Sequence, residues 1–194
     1  MKKIEDQQDV QRKKKRTQVI VAIVLGLILL GSSFGVIIDS FGNTSSGKIK
    51  YQGITFTKDE NNFWITQKEG NNLIFFYNPM QTENVSSKVD TIEKYYSLPL
   101  YIYSENQDAE GELYRNLDPR ANSIVERVQT ACPEDKTCDV SIVKKDCTNN
   151  FIIIEYSENE SLEQKQNCVY IRGKSEKMLE LTDEYLFKLF KIKQ

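Results

Sequence analysis

The chain has 194 residues, with 26 basic and 28 acidic side chains, four cysteines and no histidine. Without histidine there is no Ser–His or Cys–His nucleophile activation and no imidazole metal site. Acid–base chemistry would fall to carboxylates, lysines or tyrosines.

Residues 1–16 form a basic lead that ends in Arg12-Lys13-Lys14-Lys15-Arg16. An uncharged apolar run, Val19 to Ile38, follows at once. At about 1.5 Å per residue it covers roughly 30 Å, the hydrocarbon thickness of a bilayer. Its Val, Ile, Leu and Phe side chains favour insertion by about 4–8 kcal/mol in total. Residues 17–38 therefore read as a transmembrane helix, with the lead kept in the cytoplasm by the positive-inside rule. Basic residues that abut a span act as topology determinants, which sets aside a nuclear or nucleic-acid role for them.

The long lead, and the apolar run that continues through Val36-Ile37-Ile38, favour a retained signal-anchor over a cleaved leader. Gly31 and Gly35 have the spacing of a helix-pairing motif. Arg16-Thr17-Gln18-Val19 is similar to the processing site of archaeal pilin-like precursors, with Thr17 in place of the small residue that pattern wants. That resemblance implies an assembling surface subunit as one alternative.

Residues 39–47 (DSFGNTSSG) read as a flexible linker spanning roughly 15–18 Å. Residues 48–194 then have the size of one extracytoplasmic domain. Removing the seven cations and three acids of the lead leaves an exported part of net charge −6. Nucleic acid and anionic headgroups are disfavoured as ligands by that charge.

In chain order, residues 48–77 read as three strands of an antiparallel meander, with a bulge at Gly53. Ser86 or Ser87 caps a short helix bearing Val89, Ile92 and Tyr96. Leu98 to Ser104 is a strand buried on both faces. Asp118 as N-cap and Pro119 at the first helical position open a helix over 119–132. Its apolar positions are Ala121, Ile124, Val125, Val128, Ala131 and Cys132. Strands follow at 151–156 and 168–171.

A last helix runs from Ser175 to about Ile192. Its apolar face holds Met178, Leu181, Tyr185, Leu186, Leu189 and Ile192, and its polar face Lys177, Glu180, Glu184, Lys188 and Lys191. The order βββ-α-β-α-β-β-α defines an α+β domain with one mixed sheet. Strand 98–104, helix 119–132 and strand 151–156 would form a right-handed βαβ unit.

Cys132, Cys138, Cys147 and Cys168 are an even, clustered set in an exported domain, which reads as two disulfides. Of three possible pairings, Cys138–Cys147 with Cys132–Cys168 is preferred, because it ties a helix end to a core strand. No C-x-x-C occurs, so zinc and thioredoxin-like chemistry fail on spacing.

Asn106-x-Asp108-x-Glu110-Gly111 echoes a calcium loop, but Leu117 stands where a bidentate Glu is needed. A polar loop is the expectation there, with no metal. Asn43, Asn84 and Asn159 are N-x-[ST] glycosylation candidates. No phosphate-binding or nucleophile-elbow motif is present, and no cofactor is expected.

These features favour a membrane-anchored extracytoplasmic protein that binds a partner at the cell surface or supports the envelope. The alternatives are a tethered carboxylate-dependent hydrolase and a pilin-like or oligomeric subunit.

Overall fold

Two-residue hairpin turns organise the first half of the domain. Gln52-Gly53 and Glu69-Gly70 have positive φ at both positions (46° and 85°, 52° and 82°). That is the type I′ geometry, whose twist matches antiparallel strands. The first turn joins β1 (Lys48–Tyr51) to β2 (Ile54–Lys58), and the second joins β3 (Trp64–Lys68) to β4 (Asn71–Phe75). The result is a four-stranded antiparallel meander in the order β1-β2-β3-β4. Gly53 is therefore a turn, not the expected bulge, and residues 48–77 give four strands instead of three. A bulge and a type I′ turn both call for glycine at positive φ, which hid the difference.

The computed structural model describes Val21 and residues 47–120 and 124–194. The lead 1–16, the span 17–38 apart from Val21, and the linker apart from Gly47 lie outside the described residues. Among the described residues, no helix is long and apolar enough to cross a membrane. The chain divides into two units, 1–46 and 47–194, and the second carries every strand and both helices described below.

The short helix expected near Val89 is a 3-10 turn, Ile92–Tyr95. It leads into β5 (Pro99–Ser104), the strand expected from Leu98. Next comes α1 (Gln107–Leu117), capped by Asn106, whose side chain accepts the Ala109 N–H at 2.9 Å. β6 (Arg127–Thr130) follows, then the short parallel pair β7 (Cys132–Pro133) and β8 (Lys144–Lys145). β9 (Phe151–Tyr156), β10 (Ser161–Lys165) and β11 (Cys168–Gly173) complete the sheet. A second 3-10 turn, Ser175–Lys177, opens α2 (Met178–Leu189).

The domain is mixed α+β, with a five-stranded mixed sheet in the order β10-β11-β9-β5-β6. All its pairs are parallel except β10 with β11. The helix expected over 119–132 is absent from its described part, which is turn, β6 and β7. The helix between β5 and its parallel neighbour β6 lies earlier, and Asp118 is its C-cap instead of the N-cap of a later one.

Alternation along the strands separates two faces. Leu100, Ile102, Ile152, Ile154, Val169 and Ile171 join the main core with the helices and the meander residues Phe56, Leu73 and Phe75. Tyr101, Phe151, Ile153 and Cys168 form a second cluster with Ala131 on the other face. α2 is enclosed: Leu181 through Leu189 are all buried. The ring of its Phe187 lies 4.6 Å from that of Phe75 in the meander. A helix apolar on one stripe is expected to leave its other face wet. Here part of the face predicted to be polar is covered too: Glu184 and Lys188 are buried, Lys177 and Glu180 are half-buried, and Lys191 is exposed.

Candidate functional site

All four cysteines are paired, as Cys132–Cys138 and Cys147–Cys168. This corrects the expected pairing. Cys132 does not end a helix. It sits in β7 and closes a short loop, which leaves Cys168 on β11 to take Cys147.

The segment that echoes a calcium loop is the start of α1. Asn106 is spent on its cap, and Asp108 and Glu110 stand in its first turn. Among the described residues, no group of three or more His, Cys, Asp or Glu is placed to hold a metal ion. Of the glycosylation candidates, Asn43 lies outside the described residues. Asn159 is exposed between β9 and β10. Asn84 is exposed, and its Oδ1 accepts from Lys188 Nζ at 3.1 Å.

The closest approach to a carboxylate couple is Glu112 on α1 with Asp183 on α2, both buried. Glu112 accepts the Phe76 N–H at 3.2 Å and Asp183 accepts the Tyr77 N–H at 2.7 Å. On the same face of α1, Asn116 receives the Ile74 N–H at 2.9 Å and donates to the Ile74 carbonyl at 2.7 Å. These three side chains act as a substitute partner strand along β4 and its extension. Burial pushes both carboxyls up, Asp183 well above the usual carboxylate range. Neither lines any of the cavities described below; the pair stitches the helices to the meander.

The cavity with the most distinctive chemistry lies where α2 ends. It has a volume of about 420 Å³ and is lined by Lys88, Lys188, Lys191 and Lys193, together with Gln52, Ser87, Val89, Thr91 and Gln194, with no carboxylate side chain. Its shape comes from the helix terminus. Phe190 caps α2, and Lys191 takes a left-handed φ of 54°, where glycine is the usual residue. The Ile192 and Lys193 N–H groups then return to the Phe187 carbonyl at 2.7 and 3.1 Å. The reversal carries Lys193 back beside the helix. Its Nζ reaches Glu184 Oε2 at 2.6 Å, Thr82 Oγ1 at 2.7 Å and the Thr82 carbonyl at 3.0 Å.

Lys188 lies one turn beyond Glu184 and pairs with its other oxygen at 3.6 Å. It also donates to the Gln194 main-chain oxygen at 2.9 Å. The side chains of Lys188 and Lys193 are each only 5% exposed, and that of Glu184 is 1% exposed. Two buried ammonium groups thus share one buried carboxylate. Lys191 pairs with Glu93, whose carboxyl is held down at about 2 by that hydrogen bond.

Two other depressions are less suited to a ligand. One, of about 680 Å³, is open and lined by residues of mixed charge including Glu158, Lys174 and Glu176. The other, of about 250 Å³, lies between Tyr103, Thr130 and Cys138.

The fold and the site define a small disulfide-bonded α+β domain with a lysine-lined pocket at the end of its central helix. No protein-family model, curated protein or solved structure matches the chain.

Proposed function

We propose that this chain is a single-pass membrane protein that presents residues 48–194 outside the cytoplasm as a binding domain. Residues 17–38 are the anchor and residues 1–16 the cytoplasmic lead. The observation that carries the reading is the pairing of all four cysteines, two of them wholly buried. Such bridges persist in oxidising surroundings and are rare where thiols are kept reduced. The uncharged run Val19 to Ile38 supplies the route out of the cytoplasm, and the basic lead supplies the orientation. A binding role is preferred to a catalytic one because the buried carboxylate pair is used to hold main chain. The pocket offers charge without a poised acid and base.

The test is protease shaving of intact cells, followed by mass spectrometry of the chain. The expected result is loss of peptides from 48–194 and retention of a membrane-embedded N-terminal stub. A C-terminal part left untouched on intact cells and cleaved only after lysis overturns the proposal.

A further inference from the structure

We propose that the outer face of the meander, at the end where the linker enters, seats in the lipid–water interface of the membrane that holds the anchor. The proposal rests on the single-pass reading and names the surface the domain is held against.

Alternation along β3 and β4 sends side chains to two faces. Trp64, Leu73 and Phe75 join the main core. Ile65 and Ile74, directly opposed across the two strands, point the other way and belong to neither core cluster. Phe63 and Phe76, each two residues further along, continue that row. Their rings are 6.1 Å apart, and the ring of Tyr77 lies 5.0 Å from that of Phe76. Phe76 is 45% exposed. The chain then turns at Asn78, whose carbonyl takes the Gln81 N–H and whose side chain takes the Met80 N–H, both at 2.9 Å. That turn leaves Met80 61% exposed. Apolar residues exposed singly are ordinary on a protein, whereas a joined group marks a contact surface.

Position and charge select lipid as the occupant. The Gly47 carbonyl accepts the Lys58 N–H, so the linker enters beside the β2–β3 turn, and Phe63 follows that turn. Nine linker residues (39–47) hold this point within roughly 15–18 Å of the bilayer. β1 and β4 are three strand spacings apart, about 14 Å, so the whole row is in reach. The other strand positions on this face are Lys48, Lys50, Thr55, Thr57, Gln67 and Asn72, and none is an acid. The Arg115 guanidinium lies 4.3 Å from the centre of the Phe63 ring. Of the two acids in the turn, Asp59 holds the Asn61 and Phe63 N–H groups at 2.9 and 2.8 Å, and Glu60 is exposed. Aromatic rings flanked by lysine and arginine have the composition of a membrane-interface belt. Burial of apolar side chains drives the contact, so it does not call on anionic headgroups. A patch this small holds a free protein on lipid only weakly, but a tether makes the contact intramolecular.

The experiment places the full-length chain in phosphatidylcholine nanodiscs and adds a tryptophan by Phe76→Trp, by Met80→Trp or, as a control in the segment after Cys138, by Val140→Trp. Val140 is wholly exposed. Trp64, the only tryptophan of the chain, is 8% exposed, and its signal in the unsubstituted protein is subtracted. Side chains at the interface sit about 5–10 Å deep, so lipid brominated near the glycerol end of its acyl chains is expected to quench Phe76→Trp and Met80→Trp at least about twofold more than Val140→Trp. Aqueous iodide is expected to show the reverse order. Iodide quenching as strong at Phe76→Trp and Met80→Trp as at Val140→Trp shows a face open to water. Equal quenching of all three by brominated lipid shows a domain with no fixed contact face. Shielding of Phe76→Trp and Met80→Trp from both quenchers shows a protein cover, such as a second copy of the chain. Each of these three results overturns the proposal. A chain that does not enter the discs refutes the anchor and the proposal together, whereas one that enters without preferential quenching by brominated lipid refutes the contact alone.

Discussion

Glu112 of α1 and Asp183 of α2 are buried together and accept the N–H groups of consecutive residues, Phe76 and Tyr77, so that burial and the charge of Glu112 together push the Asp183 carboxyl up. Asp183 Oδ1 is buried and has no hydrogen-bond partner among the described residues. Arg115 pairs with Glu112 from the solvent side and pulls its carboxyl down, but desolvation is the larger effect and acts upward on both.

The pair makes stability depend on pH in a definite direction. A carboxyl whose folded pKa lies above its unfolded value holds more proton folded than unfolded. Its contribution is complete below the unfolded value of about 4 and drains away as pH rises through the folded value. The thermal midpoint followed by circular dichroism is expected to fall as pH rises above the ordinary carboxylate range. Asp183→Asn keeps an acceptor for Tyr77 and a donor for Glu112, and it flattens the slope. An identical pH profile in the variant would show that Asp183 is not the titrating group.

Disulfide connectivity is checked by digestion at lysine without reduction. Lys136 lies inside the Cys132–Cys138 loop, and Lys144 and Lys145 separate that loop from Cys147. Two independent cross-linked fragments are expected, and a Cys132–Cys168 peptide would contradict the fold. The sequence separations of 6 and 21 correspond to about 2 and about 3 kcal/mol in the chain-entropy model. Denaturant unfolding should show Cys147→Ala with Cys168→Ala to be the costlier double substitution.

Asn116 holds both main-chain groups of Ile74 from a fully buried position. Asn116→Ala strands the half-buried N–H and carbonyl of Ile74 at once. The expected loss is about 2–4 kcal/mol, with the slope against urea unchanged. A loss below about 0.5 kcal/mol would show that water replaces the side chain.

Gly173 closes β11 against α2. A Cβ at that position would lie 2.5 Å from Leu181 Cδ1. Gly173→Ala is expected to cost about 1–3 kcal/mol. Leu181→Ala opens room for the new methyl, so the double variant should be less damaged than the sum of the two singles. Additive losses would mean that the strain lies elsewhere.

How much of this was legible in the chain depends on where polar residues fall. β5, β9 and β11 were plain, because Leu98 to Ser104, Phe151 to Tyr156 and Cys168 to Ile171 are short apolar runs. α1 was missed, because its inward face carries Glu112 and Asn116 among Ala109, Leu113 and Leu117. Buried polar side chains that serve main chain erase the helical period. The segment after it does show that period, yet it forms β6 and β7. Asp118-Pro119 has the pattern of a helix start, yet it stops one. Proline suits both places, just inside a beginning and just past an end. Arg120 hydrogen-bonds the Asp118 carboxyl, which holds it at about 2.

The pocket was hidden for a different reason. Net charge is a sum over residues 17–194, and an acidic sum does not exclude a local cluster of lysines. Only the reversal at Lys191 brings Lys193 beside Lys188, and a left-handed lysine has no sequence signature.

The enclosure of α2 has a consequence for biogenesis. That helix follows all eleven strands of the described residues, so it emerges after them, whether from ribosome or translocon. Until it arrives, the meander and the five-stranded sheet have only α1 to close upon, and the part of their inner surfaces that α2 covers stays wet. The domain must therefore mature in one late step, and a chain stalled before Met178 is a natural client for chaperones and quality-control proteases.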